Sequence, residues 1–378
     1  MAVRILHCHS TFSLGGKEAR AVRLMNAFGD AAEHTILSAM PDRLDARAAI
    51  DKGVKVTFPV DAPSLTGRPT PGRLKALARY ISGFDLVLTY NWGAFDAVMA
   101  RRLFGGPPVI HHEDGFNEDE AVRLKTSRSL YRRLGLPAVF RLVVPSQRLA
   151  DIAVWDWVQP DRRVTRIPNG IPVARYRQPP ALGAIPGFEK RPGEIVIGTV
   201  AGLRKVKNLP RLVRAFAAMA HKAARLVIVG AGPESEAIAA EARARGVADR
   251  VLMPGFLADP ARWIGHFDIF ALSSDSEQFP LSLVEAMAAG LPAVTTQVGD
   301  VLHILSDDNL QLIVDPLDEP AFADALDSLA QRDDLRRAIG AANRALAASR
   351  YDEAAMISAY ARLYGEAIGR TGAFAAQA

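Results

Sequence analysis

Two carboxylates in the segment "SSDSEQFPLSLVEAMAAGLPAV", residues 273–294, raise a chemical question. The stretch after Pro280 is apolar on nearly every side, as in a helix buried all round. Because a proline disfavours helix before it, the helix is expected to begin near Ser282, and Ser282 with Glu285 then forms a capping box, S-x-x-E. A cap would account for Glu285 but not for Glu277. Since a buried carboxylate needs a partner, a ligand rich in hydroxyls, such as a ribose and a hexose, would serve both.

A glycine-rich loop follows the first predicted strand, in "FSLGGKEARAVRL", residues 12–24. Gly15 and Gly16 allow close backbone approach, and the helix after them offers free N–H groups and a positive dipole end to an anion. The spacing fits neither a Walker A loop nor the dinucleotide fingerprint. A plain strand-to-helix turn is the alternative.

Cations follow another predicted strand in "TVAGLRKVKNLPRLVRAF", residues 199–216. Arg204 and Lys207 there can neutralise a diphosphate, although a solvated loop would have the same composition. The segment "VIVGAGPESEAI", residues 227–238, begins like a dinucleotide loop but has Ser235 at the third glycine position. The next strand ends without the acid that would hold a ribose, so NAD or FAD binding is disfavoured.

Composition limits the class of protein. The chain has 378 residues, 49% of them hydrophobic and 23% charged, which predicts two globular domains. We find no secretory signal and no apolar run of the roughly 18 residues that a membrane span needs. The single cysteine, Cys8, excludes an intramolecular disulfide and fits a reducing, cytoplasmic location. The net charge of +5 suits an acidic ligand or an anionic surface, and no nucleic-acid motif is present.

Short β-branched runs alternate with helical stretches along the whole chain, which predicts an α/β protein with parallel sheets. Twelve strands are predicted: "VRILHCH", "HTILSA", "VKVTF", "DLVLTY", "PPVIHH", "RLVVPS", "EIVIGTV", "ARLVIVG", "RVLMPG", "DIFALS", "PAVTT" and "LQLIVDP". A segment rich in proline and glycine separates the two sets of six. We therefore expect a Rossmann-like domain at residues 1–175, a linker at 176–193, a second Rossmann-like domain at 194–350, and a C-terminal helix at 351–378 that packs back towards the first domain.

No metal site is expected. The histidines of "HCH" and "HH" lie along predicted strands, where neighbouring side chains diverge, and no ligand cluster of the usual spacing is present. His7 is therefore interpreted as a core histidine.

The segment "EQFPLSLVE" resembles the E-x7-E motif of the GT-B glycosyltransferases of family 4, the "group 1" glycosyl transferases. The resemblance covers almost the whole chain. "GGKE" is similar to the family's N-terminal glycine loop, "IPNGI" to its N-G turn, "LVIVGAGP" to a strand of its second domain, and "EAMAAGLPAVTT" to the helix and strand after the motif.

The resemblance implies a GT-B fold, in which two Rossmann-like domains face each other across a cleft, followed by C-terminal helices. It implies transfer of a sugar from a nucleotide diphosphate to an acceptor hydroxyl with retention of configuration and without a metal or cofactor. Glu277 would bind the donor sugar, Glu285 the ribose, and Lys207 and Gly16 the diphosphate. The other residues near the donor would be Gly15, Gly255, Phe256, Phe279, Pro280 and Leu281.

The chain departs from the family pattern at two places. Gly202 in "AGL" stands where the family has arginine, and Arg204 is the expected substitute. In "HHEDGF" either Asp114 replaces the family's cleft histidine, or His111 or His112 is shifted into its role. Asp114 is the last side chain before the turn at Gly115, although an aspartate there could simply bond its own backbone.

The mechanism implied by the resemblance is a front-face displacement in which the leaving diphosphate helps to take the acceptor proton, with Lys207, Arg204, Glu277 and Asp114 as the catalytic set. A nucleotide-sugar epimerase on the same fold and a non-catalytic nucleotide-sugar-binding subunit remain alternatives. The sequence does not identify the acceptor.

A lipid-linked acceptor would fit residues 119–136, where Leu124, Tyr131 and Leu134 share one helical face. Basic side chains cover the remainder: Arg123, Lys125, Arg128, Arg132 and Arg133. Such a helix would bind the anionic inner face of a membrane, and the alternative is a solvated face over an ordinary amphipathic core helix.

Overall fold

The computed structural model describes residues 2–13, 15–116, 120 and 123–374. It divides into two compact units of similar size. The first consists of Met1–Asn169 with Ala354–Ala378, and the second of Gly170–Glu353. In the part of the chain that the structure describes, no helix is long and apolar enough to cross a membrane.

The first unit is built on a seven-stranded parallel sheet. Its strands are β1 (Val3–His9), β2 (Ala32–Ser38), β3 (Lys55–Thr57), β4 (Leu86–Tyr90), β5 (Val109–His112), β6 (Arg141–Val144) and β7 (Val164–Arg166). They lie in the order β3-β2-β1-β4-β5-β6-β7, which reverses direction at β1. Ligands of such sheets bind at the carboxyl ends of the strands near this reversal.

Five helices connect these strands: α1 (Gly16–Phe28), α2 (Pro71–Ile81), α3 (Phe95–Phe104), α4 (Thr126–Gly135) and α5 (Gln147–Trp155). The starts of α2 and α5 follow from capping, since the side chains of Thr70 and Ser146 accept backbone N–H bonds in the first turn. Apolar residues of α1 pack on one face of the sheet, and those of α2, α3 and α5 on the other. The buried Cys8 belongs to the second of these cores, and His7 is buried as predicted.

The second unit contains a six-stranded parallel sheet in the order β10-β9-β8-β11-β12-β13. Its strands are β8 (Val196–Val200), β9 (Arg225–Val229), β10 (Val251–Gly255), β11 (Ile269–Leu272), β12 (Ala293–Thr296) and β13 (Ile313–Val314). Its helices are α6 (Leu209–Ala218), α7 (Ser235–Ala244), α8 (Leu281–Ala288), α9 (Val301–Ile304), α10 (Glu319–Gln331) and α11 (Asp333–Arg350). Each face of the sheet has its own apolar core.

Two segments at the predicted domain borders are packed into the apolar cores of the units. Tyr176, Ile185 and Phe188, from the stretch predicted as a linker, are buried in a core of the second unit. The last helix, α12 (Glu353–Ala367), places Tyr360 and Tyr364 in the core of the first unit with α1. The chain therefore leaves the first unit after residue 169 and returns to it at residue 354.

All twelve predicted strands are present, and the structure adds β7. The addition was not predicted because β7 is only three residues long, "VTR", and lacks an apolar run. The alternation of strands and helices thus established the fold class correctly.

Candidate active site

The loops after β8 and β11 adjoin in the second unit and bring two of the predicted residues together. The backbone N–H of Asp275 donates to the carbonyl of Val206 at 2.8 Å. Next to this bond, Lys207 Nζ lies 2.6 Å from Glu277 Oε1, and Ser274 Oγ donates to the same oxygen at 2.7 Å. Both charged side chains are largely buried, so this ion pair is shielded from solvent. A cation and a carboxylate, each able to take a ligand group, are therefore held at the carboxyl edge of the second sheet.

Glu285 lies in the second turn of α8 but does not cap it. The helix begins at Leu281, with Pro280 as its N-cap residue and no side-chain cap bond. The predicted capping box is therefore wrong, because the proline is accommodated at the helix boundary and Ser282 already lies inside the first turn. Glu285 Oε1 instead accepts a bond from the hydroxyl of Tyr176 at 3.1 Å.

The remaining predicted donor residues of the second unit are spread along its carboxyl edge. Phe279, just before α8, packs edge-on against Tyr351, with ring centroids 5.8 Å apart. Gly255 ends β10, and its carbonyl accepts the backbone N–H of Gly230 at 2.9 Å. Phe256, beside it, is 68% exposed, which leaves an aromatic face open to a ligand at this point.

Arg204, the expected substitute for an arginine at position 202, lies beside Gly202. Its side chain is exposed on the loop after β8. A Cβ atom built on Gly202 would lie 3.6 Å from Arg204 Nε. The guanidinium of Arg204 therefore starts next to position 202, where the motif that the sequence resembles has arginine.

Gly299, in the loop after β12, supports the carboxylate segment and was missed by the sequence reasoning. Its φ is +56°, and a Cβ there would lie 2.5 Å from the carbonyl oxygen of Glu277. A second contact from the same strand end holds this segment, since Thr296 Oγ1 donates to the carbonyl of Ser274 at 2.6 Å. Only glycine combines this conformation with so close an approach.

In the first unit, α1 begins at the predicted glycine loop. Gly15 is the N-cap residue and makes no side-chain bond, and Gly16 is the first helical residue. Both glycines are exposed at the start of this 13-residue helix, and a Cβ atom on Gly15 would lie 2.9 Å from Glu18 Oε2. Lys17 and Glu18 form an ion pair in this turn. The anion site expected at this helix end stays a prediction.

Asp114 is held by a buried arginine that the sequence reasoning missed. Arg20 of α1 binds both carboxylate oxygens of Asp114, one of them at 2.8 Å, and also donates to Asn169 Oδ1 at 2.8 Å. The backbone N–H of Asp114 donates to Asn91 Oδ1 at 2.7 Å. Burial is the largest single influence on the pKa of Arg20 and would lower it, but the charge and hydrogen bond of Asp114, together with Tyr360 and Tyr90, raise that pKa above its ordinary value. The two bonds from Arg20 fix the orientation of the Asp114 carboxylate. An aspartate that only bonded its own backbone in a turn would not need such a partner.

The two neighbouring histidines are both fully buried. His112 is joined to the carbonyl of Thr89 at 3.2 Å through Nδ1 and to the hydroxyl of Tyr364 at 3.0 Å through Nε2. Burial, followed by the positive charge of Arg20, lowers the pKa of His112 well below its usual value, so this ring is neutral. His111 Nδ1 is joined to Thr89 Oγ1 at 2.8 Å. Asp114 is partly exposed and both histidines are not, which favours Asp114 as the group that meets a ligand.

The predicted amphipathic helix at residues 119–136 is shorter in the structure, as α4 (Thr126–Gly135). Positions 119, 121 and 122 lie outside the described residues. The prediction that Arg132 belongs to a solvated basic face is wrong: its side chain is 1% exposed. Arg132 Nε lies 3.0 Å from Glu113 Oε2, and Arg128 pairs with Glu120 at 2.8 Å. Buried carboxylates thus neutralise two of the five predicted cations.

No group of three or more His, Cys, Asp or Glu side chains suited to a metal ion is found among residues 2–13, 15–116, 120 and 123–374. The metal-free mechanism remains a prediction.

Comparison with protein families gives two matches that together span most of the chain. Residues 5–175 match the model described as "Glycosyltransferase Family 4", and residues 185–346 match "Glycosyl transferases group 1". The chain belongs to glycosyltransferase family 4. The residues of the family motif, Glu277 and Glu285, lie within the second match, and the glycine loop lies within the first.

Two relatives show how far the likeness extends. The chain is 26% identical to a GDP-mannose:cellobiosyl-diphosphopolyprenol alpha-mannosyltransferase of Komagataeibacter xylinus, over 97% of this chain and 94% of that one. It is 29% identical to an N-acetyl-alpha-D-glucosaminyl L-malate synthase of Bacillus anthracis, but this match spans 45% of either chain.

A solved structure confirms the fold class. HepE of Anabaena, crystallised in complex with UDP, has a TM-score of 0.78 and 18% identity, covering 95% of this chain and 98% of that one. The fold of this family 4 protein is therefore GT-B. At this identity the likeness concerns the fold alone.

Proposed function

We propose that this glycosyltransferase moves a sugar from a nucleotide diphosphate to an acceptor hydroxyl with retention of configuration. The observation that carries the proposal is the shielded pair of Lys207 and Glu277, which has one group for each half of such a donor. A diphosphate takes the ammonium of Lys207, and a sugar hydroxyl donates to the carboxylate of Glu277. The donor thus replaces the bond that the two side chains make with each other.

Other residues of the second unit are assigned to the rest of the donor. Arg204, beside Gly202, adds a second cation for the diphosphate. Glu285 accepts bonds from the ribose hydroxyls, with the hydroxyl of Tyr176 fixing its orientation. The base lies along Gly255 and Phe256, and the backbone of residues 279–281 borders the sugar.

Catalysis in this proposal rests on orientation and charge stabilisation. The negative charge that develops on the leaving diphosphate is stabilised by Lys207 and Arg204, without a metal. In the first unit, the N-terminal N–H groups of α1 at Gly16 are assigned to phosphate oxygens. The diphosphate oxygen takes the acceptor proton. Asp114, fixed by Arg20, accepts a hydrogen bond from a sugar or acceptor hydroxyl and so orients it.

The acceptor is proposed to be lipid-linked, in the assembly of a glycolipid or polysaccharide. Support comes from the K. xylinus relative, whose name contains a diphosphopolyprenol-linked acceptor. Its name also contains GDP-mannose, whereas HepE was crystallised with UDP, so the nucleotide and the sugar are left open. A cytoplasmic place at the inner face of an anionic membrane is part of this proposal.

The test uses the full-length chain. A panel of nucleoside diphosphates is first screened by thermal denaturation, because the correct one stabilises the fold by mass action. The matching labelled nucleotide sugars are then incubated with candidate acceptors, among them polyprenyl-diphosphate sugars. Label in the acceptor with the anomeric configuration retained is expected. Isomerised donor would establish an epimerase instead, and donor binding with neither product would establish a non-catalytic subunit.

A further inference from the structure

The amino edge of the first sheet carries an unusual set of exposed side chains. Strands β4, β5, β6 and β7 are consecutive neighbours, so the helices that connect them, α3, α4 and α5, lie on the same face. Each of these helices runs back from the carboxyl edge to the amino edge. Their carboxyl ends therefore meet at the edge opposite Asp114 and the glycine loop.

Large apolar side chains project into solvent from these helix ends. Twelve such side chains are exposed among the described residues, and six belong to this region: Leu103, Phe104, Leu130, Leu134, Trp155 and Val158. Trp155 is 79% exposed and Val158 63%. Half of all the exposed large apolar side chains thus lie in one region, and such a concentration marks an interaction site. We call Leu130, Leu134, Trp155 and Val158 the Trp155 surface.

The two helices that form the Trp155 surface are tied together. Leu130, Arg133 and Leu134 form the exposed stripe of α4, since they are three or four residues apart. Arg133 Nε donates to the carbonyl of Asp156 at 2.8 Å, which brings this stripe beside the end of α5.

The backbone after α5 is arranged so that alternate side chains point in and out. Trp157 is fully buried, and the guanidinium of Arg132 lies 4.7 Å from its ring centroid. Val158 has a φ of +55°, a left-handed conformation that β-branched residues rarely adopt. Gln159 secures it, because its side chain donates to the carbonyl of Trp157 at 2.7 Å and its backbone N–H to Ala153. A strained conformation that is held in this way and that exposes an apolar side chain suggests a function.

The charges around the Trp155 surface select its partner. Six arginines lie where α3, α4 and α5 end and where β6 and β7 begin: Arg101, Arg102, Arg133, Arg141, Arg162 and Arg163. The acids there are Asp156, Asp161 and Asp85, the last of which pairs with Arg4. A second copy of the chain would bring like charges together, whereas an anionic bilayer supplies phosphates for the arginines and an apolar layer for the side chains. Tryptophan and arginine are both suited to this boundary.

We propose that the Trp155 surface inserts into the headgroup region of an anionic bilayer. The proposal rests on the proposed function only for its purpose, which is to hold the enzyme at the membrane that carries its acceptor, with Asp114 at the edge away from the bilayer. The binding itself requires neither donor nor transfer. It keeps Leu134 and Arg133 of the predicted helix at residues 119–136 and leaves out Arg132, which is buried.

The first experiment measures sedimentation of the full chain with vesicles of phosphatidylcholine alone or mixed with phosphatidylglycerol, at low and high salt. We expect pelleting with the anionic vesicles and release at high salt, because screening weakens the arginine contacts. Trp155→Ser should lower the vesicle affinity by roughly tenfold, since it removes the largest inserted group. The matched control is Leu317→Ser, because Leu317 is 90% exposed but belongs to the second unit, and its affinity should be unchanged.

A second experiment reads the depth of insertion. Trp157 and Trp263 are buried and Trp92 is half-buried, so the exposed Trp155 is the tryptophan whose emission should shift to shorter wavelength on anionic vesicles and be quenched by brominated lipid. Trp155→Phe should keep binding and lose the shift. Equal binding of Trp155→Ser and the parent chain would overturn the proposal, as would the absence of salt-sensitive pelleting. A dimer that Trp155→Ser dissociates, without vesicle binding, would assign the surface to a second copy.

Failure of this proposal and failure of the proposed function give different results. If the chain transfers sugar to a water-soluble acceptor but does not bind vesicles, only the membrane-binding proposal is contradicted. A chain that binds anionic vesicles through Trp155 but transfers nothing contradicts only the enzymatic function.

Discussion

Replacing Glu277 by glutamine tests the central pair of the second unit with little change in shape. Glu277 Oε1 accepts bonds from Lys207 and Ser274 at 2.6 and 2.7 Å. The amide oxygen of glutamine can accept both, so Glu277→Gln removes the negative charge and leaves the hydrogen bonds in place. The variant therefore separates charge from geometry.

The contacts of Glu277 determine how much its replacement should change the free energy of unfolding and the turnover. Turning a charged hydrogen bond into a neutral one inside a largely buried pair should reduce the free energy of unfolding by about 1 kcal/mol, a decrease in Tm of about 2–4 °C for a unit of this size. Turnover should fall by at least about tenfold, or ~1.4 kcal/mol of transition-state stabilisation, because a neutral amide holds the donor sugar less strongly.

A matched control exists in the same unit. Glu194 pairs with Arg225 at 2.8 Å, with side-chain exposures of 8% and 15%, against 8% and 16% for Glu277 and Lys207. This pair lies where β8 and β9 begin, at the opposite edge of the sheet. Glu194→Gln should lower Tm by a similar amount and leave turnover unchanged. Both variants are measured by thermal denaturation and by release of nucleoside diphosphate under saturating donor and acceptor.

Two results would refute this reasoning. If both variants lose stability equally and keep full turnover, the carboxylate of Glu277 serves only to pair with its lysine. If Glu277→Gln loses turnover only in proportion to its loss of folded protein, the same conclusion holds.

Three further predictions concern other parts of the molecule. Asp114→Asn should lower turnover more than donor affinity and also lower Tm, because it leaves a buried arginine without its charge partner, while His111→Gln should affect chiefly Tm; full activity of the first variant would reject the assignment. Gly299→Ala should weaken donor binding, since its Cβ meets a carbonyl at 2.5 Å, whereas Gly246→Ala, at φ +66° with open space around it, should show only the backbone cost; equal donor KM values would contradict this. Burial lowers the pKa of His34 from 6.5 to about 4, so the unfolded chain takes up a proton at a higher pH than the folded chain does. The free energy of unfolding should therefore fall as the pH falls from 6.5 to about 4, by up to ~1.4 kcal/mol per pH unit. Urea titrations at several pH values should show a smaller pH slope for His34→Gln.

The fold could be predicted from the sequence because its strands are buried on both faces. Runs such as "VRILHCH" and "RLVIV" are continuous and apolar, and the turns between elements carry glycine and proline. Strand β7 has no such run, since it lies at the end of the sheet and its residues are half-buried or exposed. Its pairing with β6 comes from the fold, not from its own composition.

The candidate site was predictable where it depends on short motifs. Lys207 and Glu277 were identified in separate loops, and the structure brings them together because β8 and β11 are neighbours in the sheet. Arg20 was missed because its partner, Asp114, is 94 positions away and a basic residue on a helix is otherwise unremarkable in sequence. Gly299 was missed for a similar reason, since the atom it approaches belongs to a distant loop.

Burial of charge was the least predictable property. The residues of α4 alternate as on an amphipathic surface helix, and nothing local separates Arg132 from Arg133. The first is buried among aromatic rings and pairs with Glu113, while the second is exposed. The difference arises from carboxylates supplied by another part of the chain.

The return of the chain to its first unit at residue 354 has a consequence for its synthesis. A ribosome releases the last helix only after the whole second unit has emerged, and until then Tyr364 is not present to bond His112. The second unit, continuous from Gly170 to Glu353, can fold as it emerges, whereas the first must wait for the segment that begins at Ala354. A nascent chain stalled before residue 354 should therefore hold a folded second unit and a protease-sensitive first one, so that in this protein the part made first is completed last.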